Sequence, residues 1–271
     1  IHRRLGIQAS QTCTLTLFTQ ACLRGLYPEP TVDAAIDVIR WNASYMQVYL
    51  ERDIRGVYDI GNLREFERFL RLLAARCAQE LNLSALASDV GMSVNTIKKW
   101  ISILEACRII YLLPPYYRNL GKRIVKAPKV YFLDLGTVCY LTGIRDKEHM
   151  LNGPMAGALF ENFCVQEAVK IMCANGVPPR LYYLKTSNGL EVDLLADGVN
   201  GRLCPFEFKL SKTPRAHKGD AMNRFSDLFK ELKPEEGSLV SLSDKEERLT
   251  RMVRLLPFAA FLEKIDQLAV I

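Results

Sequence analysis

The sequence holds no phosphate-binding loop of the form GxxxxGK[ST], no CxxC pair and only three histidines. "NLGKR" at 119 to 123 lacks the upstream glycine and the Ser/Thr that would meet Mg²⁺, so this chain alone is not expected to hydrolyse ATP. His2, His149 and His217 are scattered and unaccompanied by cysteine ligands, so a zinc site is not expected. No Ser/His/Asp or Cys/His constellation suggests nucleophilic catalysis. The apolar run "IIYLLPP" at 109 to 115 stops at two prolines, so neither a membrane span nor a membrane partner is expected. Repeats and low-complexity tracts are missing too. The eight cysteines sit mostly among Leu, Ile, Val, Ala or Phe and read as reduced core residues of a cytoplasmic protein.

Acids are also missing from one stretch. Between Glu105 and Asp134 there are none, whereas Arg108, Arg118, Lys122, Arg123, Lys126 and Lys129 all fall there beside Tyr116 and Tyr117. The net charge is only +6, from 36 basic and 30 acidic residues, so this local tract says more about an anionic partner than the total does.

What is present suits a globular protein. The 271 residues are 49% hydrophobic, enough for one or two cores. The chain begins at Ile1 with no signal-peptide pattern, as the latter part of a longer polypeptide would. Three stretches are expected: residues 1–45 as a helical remnant of an upstream module, 46–145 as a helical region, and 146–271 as an α/β domain. The fold class is thus mixed α+β and α/β. In the helical part Tyr45, Val48 and Tyr49, then Phe66, Phe69, Leu70 and Leu73, recur at spacings of three and four and mark buried stripes. From about residue 155 the order reads helix, three strands, helix, strand, then a last helix.

"LSALASDVGMSVNTIKKWISILEACRIIYLL" carries the punctuation of a helix-turn-helix. Ser84 would cap a first helix, Ala87 permits close helix approach, Gly91 supplies positive φ in the turn, and Ser93 would cap the second. Ile97, Ile101 and Leu104 then face inward, leaving Asn95, Thr96, Lys98, Lys99 and Ser102 as outward donors for DNA. The apolar segment after it would open a wing, with Arg123 and Lys126 reaching phosphates. Lys212 and Arg215, in a basic loop of the second half, would also suit a phosphate backbone. The other reading is a protein-docking or packing element with a solvated lysine face.

In "EVDLLADGVNGRLCPFEFKL", residues 191 to 210, two period-two patterns are joined by a Gly/Asn loop. Alternation puts Glu191 and Asp193 on one strand face and Glu207 and Lys209 on one face of its antiparallel neighbour. Two acids and a lysine match the needs of phosphodiester hydrolysis: hard oxygens for Mg²⁺ and a cation near the attacking water or the developing charge. In the preceding helix, Glu161 falls in line with the apolar face of Ala158, Val165, Ala168 and Met172, opposite a wet face of Asn162, Gln166 and Lys170. That makes it a candidate auxiliary ligand. The alternative is a salt-bridged strand face with no enzymatic role.

These segments, with "LRGLYPEP", "YLERDI", "GALFENF", "EVDLL" and "FEFKLS", resemble the C-terminal part of prokaryotic AAA-type ATPases that carry a domain of unknown function (the 4143 type) after the ATPase module. The resemblance covers nearly the whole chain. It implies a winged helix-turn-helix domain followed by a fold similar to PD-(D/E)xK nucleases (αβββαβ, restriction-endonuclease-like). It also implies nuclease-like positions at Glu161, Asp193, Glu207 and Lys209, with Asp193, Glu207 and Glu161 toward Mg²⁺. The proline usual before the first Asp is replaced by Val192. ATP would enter only through an upstream module, and DNA, a protein partner or a second copy are the expected partners. A non-enzymatic regulatory module of an ATPase is the alternative function.

Overall fold

A computed structural model of the chain describes residues 14–48, 63–116, 127–198, 203–214, 219–232 and 234–269. The chain divides into two compact units. A helical unit comprises Thr19–Leu112 and Lys129–Asn162, and a sheet unit comprises Ile1–Phe18, Leu113–Pro128 and Phe163–Ile271. The class is mixed α+β. No helix among the described residues is long and apolar enough to cross a membrane.

The helices and strands run in chain order as α1 (Thr14–Leu23), α2 (Pro28–Val32), α3 (Val38–Val48), α4 (Leu63–Ala74), α5 (Leu83–Val90), α6 (Val94–Ala106), β1 (Ile110–Leu113), β2 (Lys129–Phe132), α7 (Leu135–Thr142), α8 (Lys147–Asn152) and α9 (Ala156–Ala174). The expected stripe of α4 is buried: Phe66 and Phe69 each place a ring 5.2 Å from Trp100 of α6. Burying side chains of this size contributes about 1.5–3 kcal/mol each. The stripe expected at Tyr45 and Val48 is only partly real. Tyr45 stacks on Trp41 with centroids 5.1 Å apart, but Val48 is 53% exposed, and Tyr49 lies outside the described residues.

Around the turn between α5 and α6 the local chemistry is specific. Asn82, not Ser84, caps α5, its side chain accepting the N–H of Ala85 at 2.9 Å, because the helix starts two residues earlier than the serine requires. Gly91 closes α5 at φ 80°, a left-handed conformation that needs no Cβ. Ser93 then accepts the N–H of Thr96 at 3.1 Å to start α6. Ile97, Trp100, Ile101, Ile103 and Leu104 are buried beneath it, and β1 and β2 follow as a two-stranded sheet. Buried Asp134 fastens two further pieces: one carboxylate oxygen accepts the N–H of Thr137 at 2.7 Å, capping α7, and the other accepts that of Leu26 at 2.7 Å.

α9 is not amphipathic. Asn162 and Gln166, expected on a wet face, are fully buried, and from Leu159 to Val169 only Glu161 retains partial exposure. The physical reason is visible at Asn162, whose carboxamide satisfies both backbone groups of Phe132 at 2.8 Å, so a polar side chain serves as an inner hydrogen-bond bracket.

The sheet unit continues with β3 (Leu181–Lys185), β4 (Glu191–Asp197), β5 (Leu203–Lys209), α10 (Asp220–Leu228), β6 (Gly237–Ser241), β7 (Glu247–Thr250), β8 (Val253–Pro257) and α11 (Phe258–Ala269). The six strands lie in the order β3-β4-β5-β6-β8-β7. β3, β4 and β5 are antiparallel neighbours, as the loop between β4 and β5 predicts; β5–β6 and β6–β8 are parallel, because α10 and the β7 excursion return the chain in the same direction. The β7–β8 hairpin escapes a sequence reading because β7 is four residues, charged and exposed. Phe206 and Phe208 pack edge-on to Phe261 of α11, at 5.1 and 5.5 Å. Alternation therefore turns Glu207 and Lys209 to the opposite face, where Leu195 and Leu203 pack with Phe225 of α10. The outer edge of β3 is covered by its own chain: Tyr183 donates its N–H to Pro114 at 3.1 Å, and Tyr116 donates to Tyr183 at 2.8 Å.

Candidate functional site

Asp193 and Glu207 stand where two strands part. The β4–β5 register runs from Asp197 and Leu203 to Leu194 and Phe206 and stops there. At the next step the N–H of Phe208 is taken not by the β4 main chain but by the Asp193 carboxylate, at 2.9 Å. Each strand stays paired on its other side, β4 through Val192 to Leu184 and β5 through Lys209 to Ser241. The result is a fork between two held strands, with a carboxylate on each arm.

Both carboxylates are withdrawn from solvent, Asp193 being 7% and Glu207 8% exposed. Lys209 projects from the same face as Glu207, its side chain one-third exposed, and donates from Nζ to Glu207 Oε1 at 2.6 Å. Glu191, on the Asp193 face of β4, is paired with Lys185 at 3.4 Å. Buried carboxylates lose hydration and need compensating partners; the Phe208 N–H serves Asp193 and the Lys209 ammonium serves Glu207, and a cation could serve both. A hard divalent ion such as Mg²⁺ is commonly held by one or two carboxylates, with water completing its shell, so the pair fits that ion in donor type and number. Among the described residues no three His, Cys, Asp or Glu side chains gather as a metal cluster.

Glu161 has its own partners. In the helical unit its Oε1 accepts from Lys129 Nζ at 3.0 Å and from the Tyr131 hydroxyl at 2.6 Å, with Lys129 itself only 3% exposed. The sequence offered a signal for this group: in "KVYF" the lysine and the tyrosine alternate onto one strand face.

On α6 the outward face is as expected in position and different in availability. Asn95, Lys98, Lys99 and Ser102 are exposed. The Thr96 hydroxyl, however, lies 2.8 Å from the Ser93 hydroxyl within the cap, and Ser102 donates to the Lys98 carbonyl at 3.0 Å, so both hydroxyls are spent inside the helix. Lys212 is exposed just past β5. Arg123, Lys126 and Arg215 lie outside the described residues.

The cysteines supply no reactive centre where they are buried. Burial pushes the Cys204 thiol up to about 12, against the opposing pull of nearby Lys264, and raises Cys22 and Cys77 well above the ordinary thiol range. Cys173 alone among the described cysteines is exposed.

The chain spans less than half the length of two curated relatives that it matches. It is 28% identical over 190 residues, 70% of this chain and 42% of the relative, to "Uncharacterized protein Rv2008c" of Mycobacterium tuberculosis. The same values hold for "Uncharacterized protein Mb2031c" of Mycobacterium bovis. No solved structure matches the chain. Residues 15–148 match a family model described as "Domain of unknown function (DUF8612)", and residues 156–261, which contain the fork, match the one described as "Domain of unknown function (DUF4143)".

Proposed function

We propose that the chain is the DNA-associated C-terminal part of an AAA-type ATPase-family protein, whose sheet unit carries a Mg²⁺-dependent phosphodiesterase site of the PD-(D/E)xK kind. The observation that carries this reading is the pair of buried carboxylates, Asp193 and Glu207, on the two arms of the β4–β5 fork, with Lys209 on the same face as Glu207. The order α9-β3-β4-β5-α10-β6 supports it, being the αβββαβ arrangement of that nuclease class. In the helical unit, the Gly91 turn, the Ser93 cap and the β1–β2 pair support a winged helix-turn-helix.

Asp193 and Glu207 would hold the ion, which supplies Lewis-acid stabilisation of charge on the phosphoryl oxygens. Phe208 keeps Asp193 pointed into the fork through its N–H. Lys209 leaves Glu207 and turns to the phosphate or the attacking water as negative charge develops. Glu161 is an electrostatic element of the helical unit in this reading, since Lys129 and Tyr131 already occupy its Oε1.

Mg²⁺ and Mn²⁺ titrations of the melting temperature test the site. A metal that binds only the folded form raises Tm for the native chain and not for Asp193→Ala or Glu207→Ala. A cleavage assay on plasmid and single-stranded DNA then reads activity in the same variants. Equal metal shifts in native and variant chains sink the metal site.

The second reading is a non-enzymatic regulatory or docking module. It is favoured by the 2.6 Å Glu207–Lys209 pair, which neutralises the strand face without any ion. It requires no metal shift, no cleavage, and loss of stability alone when Lys209 is removed.

A further inference from the structure

Val94 is one of five large apolar side chains that stand out in solvent among the described residues, at 43% exposure, and it occupies the first position of α6. At 100° per residue, Val94, Asn95, Lys98, Lys99 and Ser102 share about 140° of the helix circumference. Lys98 and Lys99 lie within the first two turns of this face, Asp89 just before is engaged with Arg76, and the exposed acid on the same arc, Glu105, falls three residues beyond Ser102, so it is the N-terminal half of the face that complements a polyanion. Hydroxyls that would blur base readout are removed from it by the Ser93–Thr96 cap and the Ser102–Lys98 bond. An apolar isopropyl group and a carboxamide, side by side, are left for base edges, with lysines for phosphates.

Resting on the DNA-binding reading above, we propose that α6 selects A·T base pairs in the major groove, Val94 lying against the C5 methyl of thymine and Asn95 bonding adenine N6 and N7. Two pairings of chemical groups favour this choice. Thymine carries the only methyl in the major groove, and against a G·C pair the isopropyl of Val94 would strip water from polar edges and give nothing in return. A carboxamide, one donor beside one acceptor, matches adenine N7 and N6–H₂, whereas guanine offers two acceptors.

The test is selection by the full chain from a random 20-base-pair duplex pool, followed by binding measurements on the enriched duplex. A·T pairs should be enriched at fixed positions. Replacing thymine there by uracil, which deletes only the methyl, should weaken the native chain about fourfold and leave Val94→Ala unchanged. Asn95→Ala should lose about tenfold in adenine preference. Both positions are exposed, and unchanged melting curves would verify that the variants fold. Binding that falls with salt and with Lys98→Ala/Lys99→Ala, yet ignores A·T content and the methyl, overturns this proposal alone. Absence of any salt- and lysine-dependent binding overturns it together with the DNA-binding reading.

Discussion

Asp193 lies just past the last paired residues of β4 and β5, and its carboxylate accepts the N–H of Phe208 at 2.9 Å. That bond sits where β4 and β5 separate, with one buried acid on each strand.

It also separates two effects of mutation. Asp193→Ala strands the Phe208 N–H in a buried place and is expected to cost about 1–3 kcal/mol in urea denaturation without metal. Asp193→Asn keeps an acceptor and removes a buried charge, so its stability without metal should lie near that of the native chain. Both variants should lose the Mg²⁺-induced rise in Tm.

Glu161 and Lys129 form an ion pair inside the helical unit, with Tyr131 as a third member. Lys129→Met removes the cation from a largely buried carboxylate and should destabilise by about 3–5 kcal/mol; adding Glu161→Leu should recover most of that loss. The Mg²⁺ shift should survive in Glu161→Gln. A shift that vanishes there would make Glu161 a metal ligand after all.

Two glycines should answer alanine oppositely. A Cβ on Gly136 would fall 2.6 Å from the Cα and 2.7 Å from the backbone N of Gly25, atoms that cannot step aside, so Gly136→Ala should cost about 1–3 kcal/mol. Gly157, in the first turn of α9, has nothing within 4 Å of such a Cβ, and Gly157→Ala should stabilise by roughly 0.5 kcal/mol. Chemical denaturation of the two variants checks both signs.

Alkaline stability should carry the mark of Cys204. Its thiol is held at about 12 in the folded chain against an ordinary value of 9.0, so above pH 9 the unfolded chain releases a proton that the folded chain retains. The contribution is whole below pH 9 and is lost progressively between pH 9 and 12, at up to about 1.4 kcal/mol per pH unit. Urea midpoints at pH 8 and pH 10.5, under reducing conditions, should fall further for the native chain than for Cys204→Ala.

Much of this was legible in the residues. Period two in "CPFEFKL" placed Glu207 and Lys209 on one face, the Gly/Asn loop gave the antiparallel pairing, and Gly91 and Ser93 marked the turn before α6. What escaped depends on the third dimension. Asn162 and Gln166 look solvated until the strand backbone that Asn162 brackets is placed beside them. Thr96 and Ser102 look like free donors until the helix consumes their hydroxyls. The fork is invisible in sequence because it rests on a side chain substituting for a main-chain partner, which no periodicity records.

The nearly all-round burial of α9 has a consequence for how this chain tolerates change. A one-residue insertion in a helix turns every later side chain by about 100°. On an amphipathic helix part of that rotation is absorbed by water; between Leu159 and Val169 there is almost no wet arc to absorb it. Insertions or deletions there would misplace the Asn162 bracket and the flanking aromatic contacts of Phe163 in one stroke. The middle of α9 is therefore a poor place to lengthen, tag or recombine the chain.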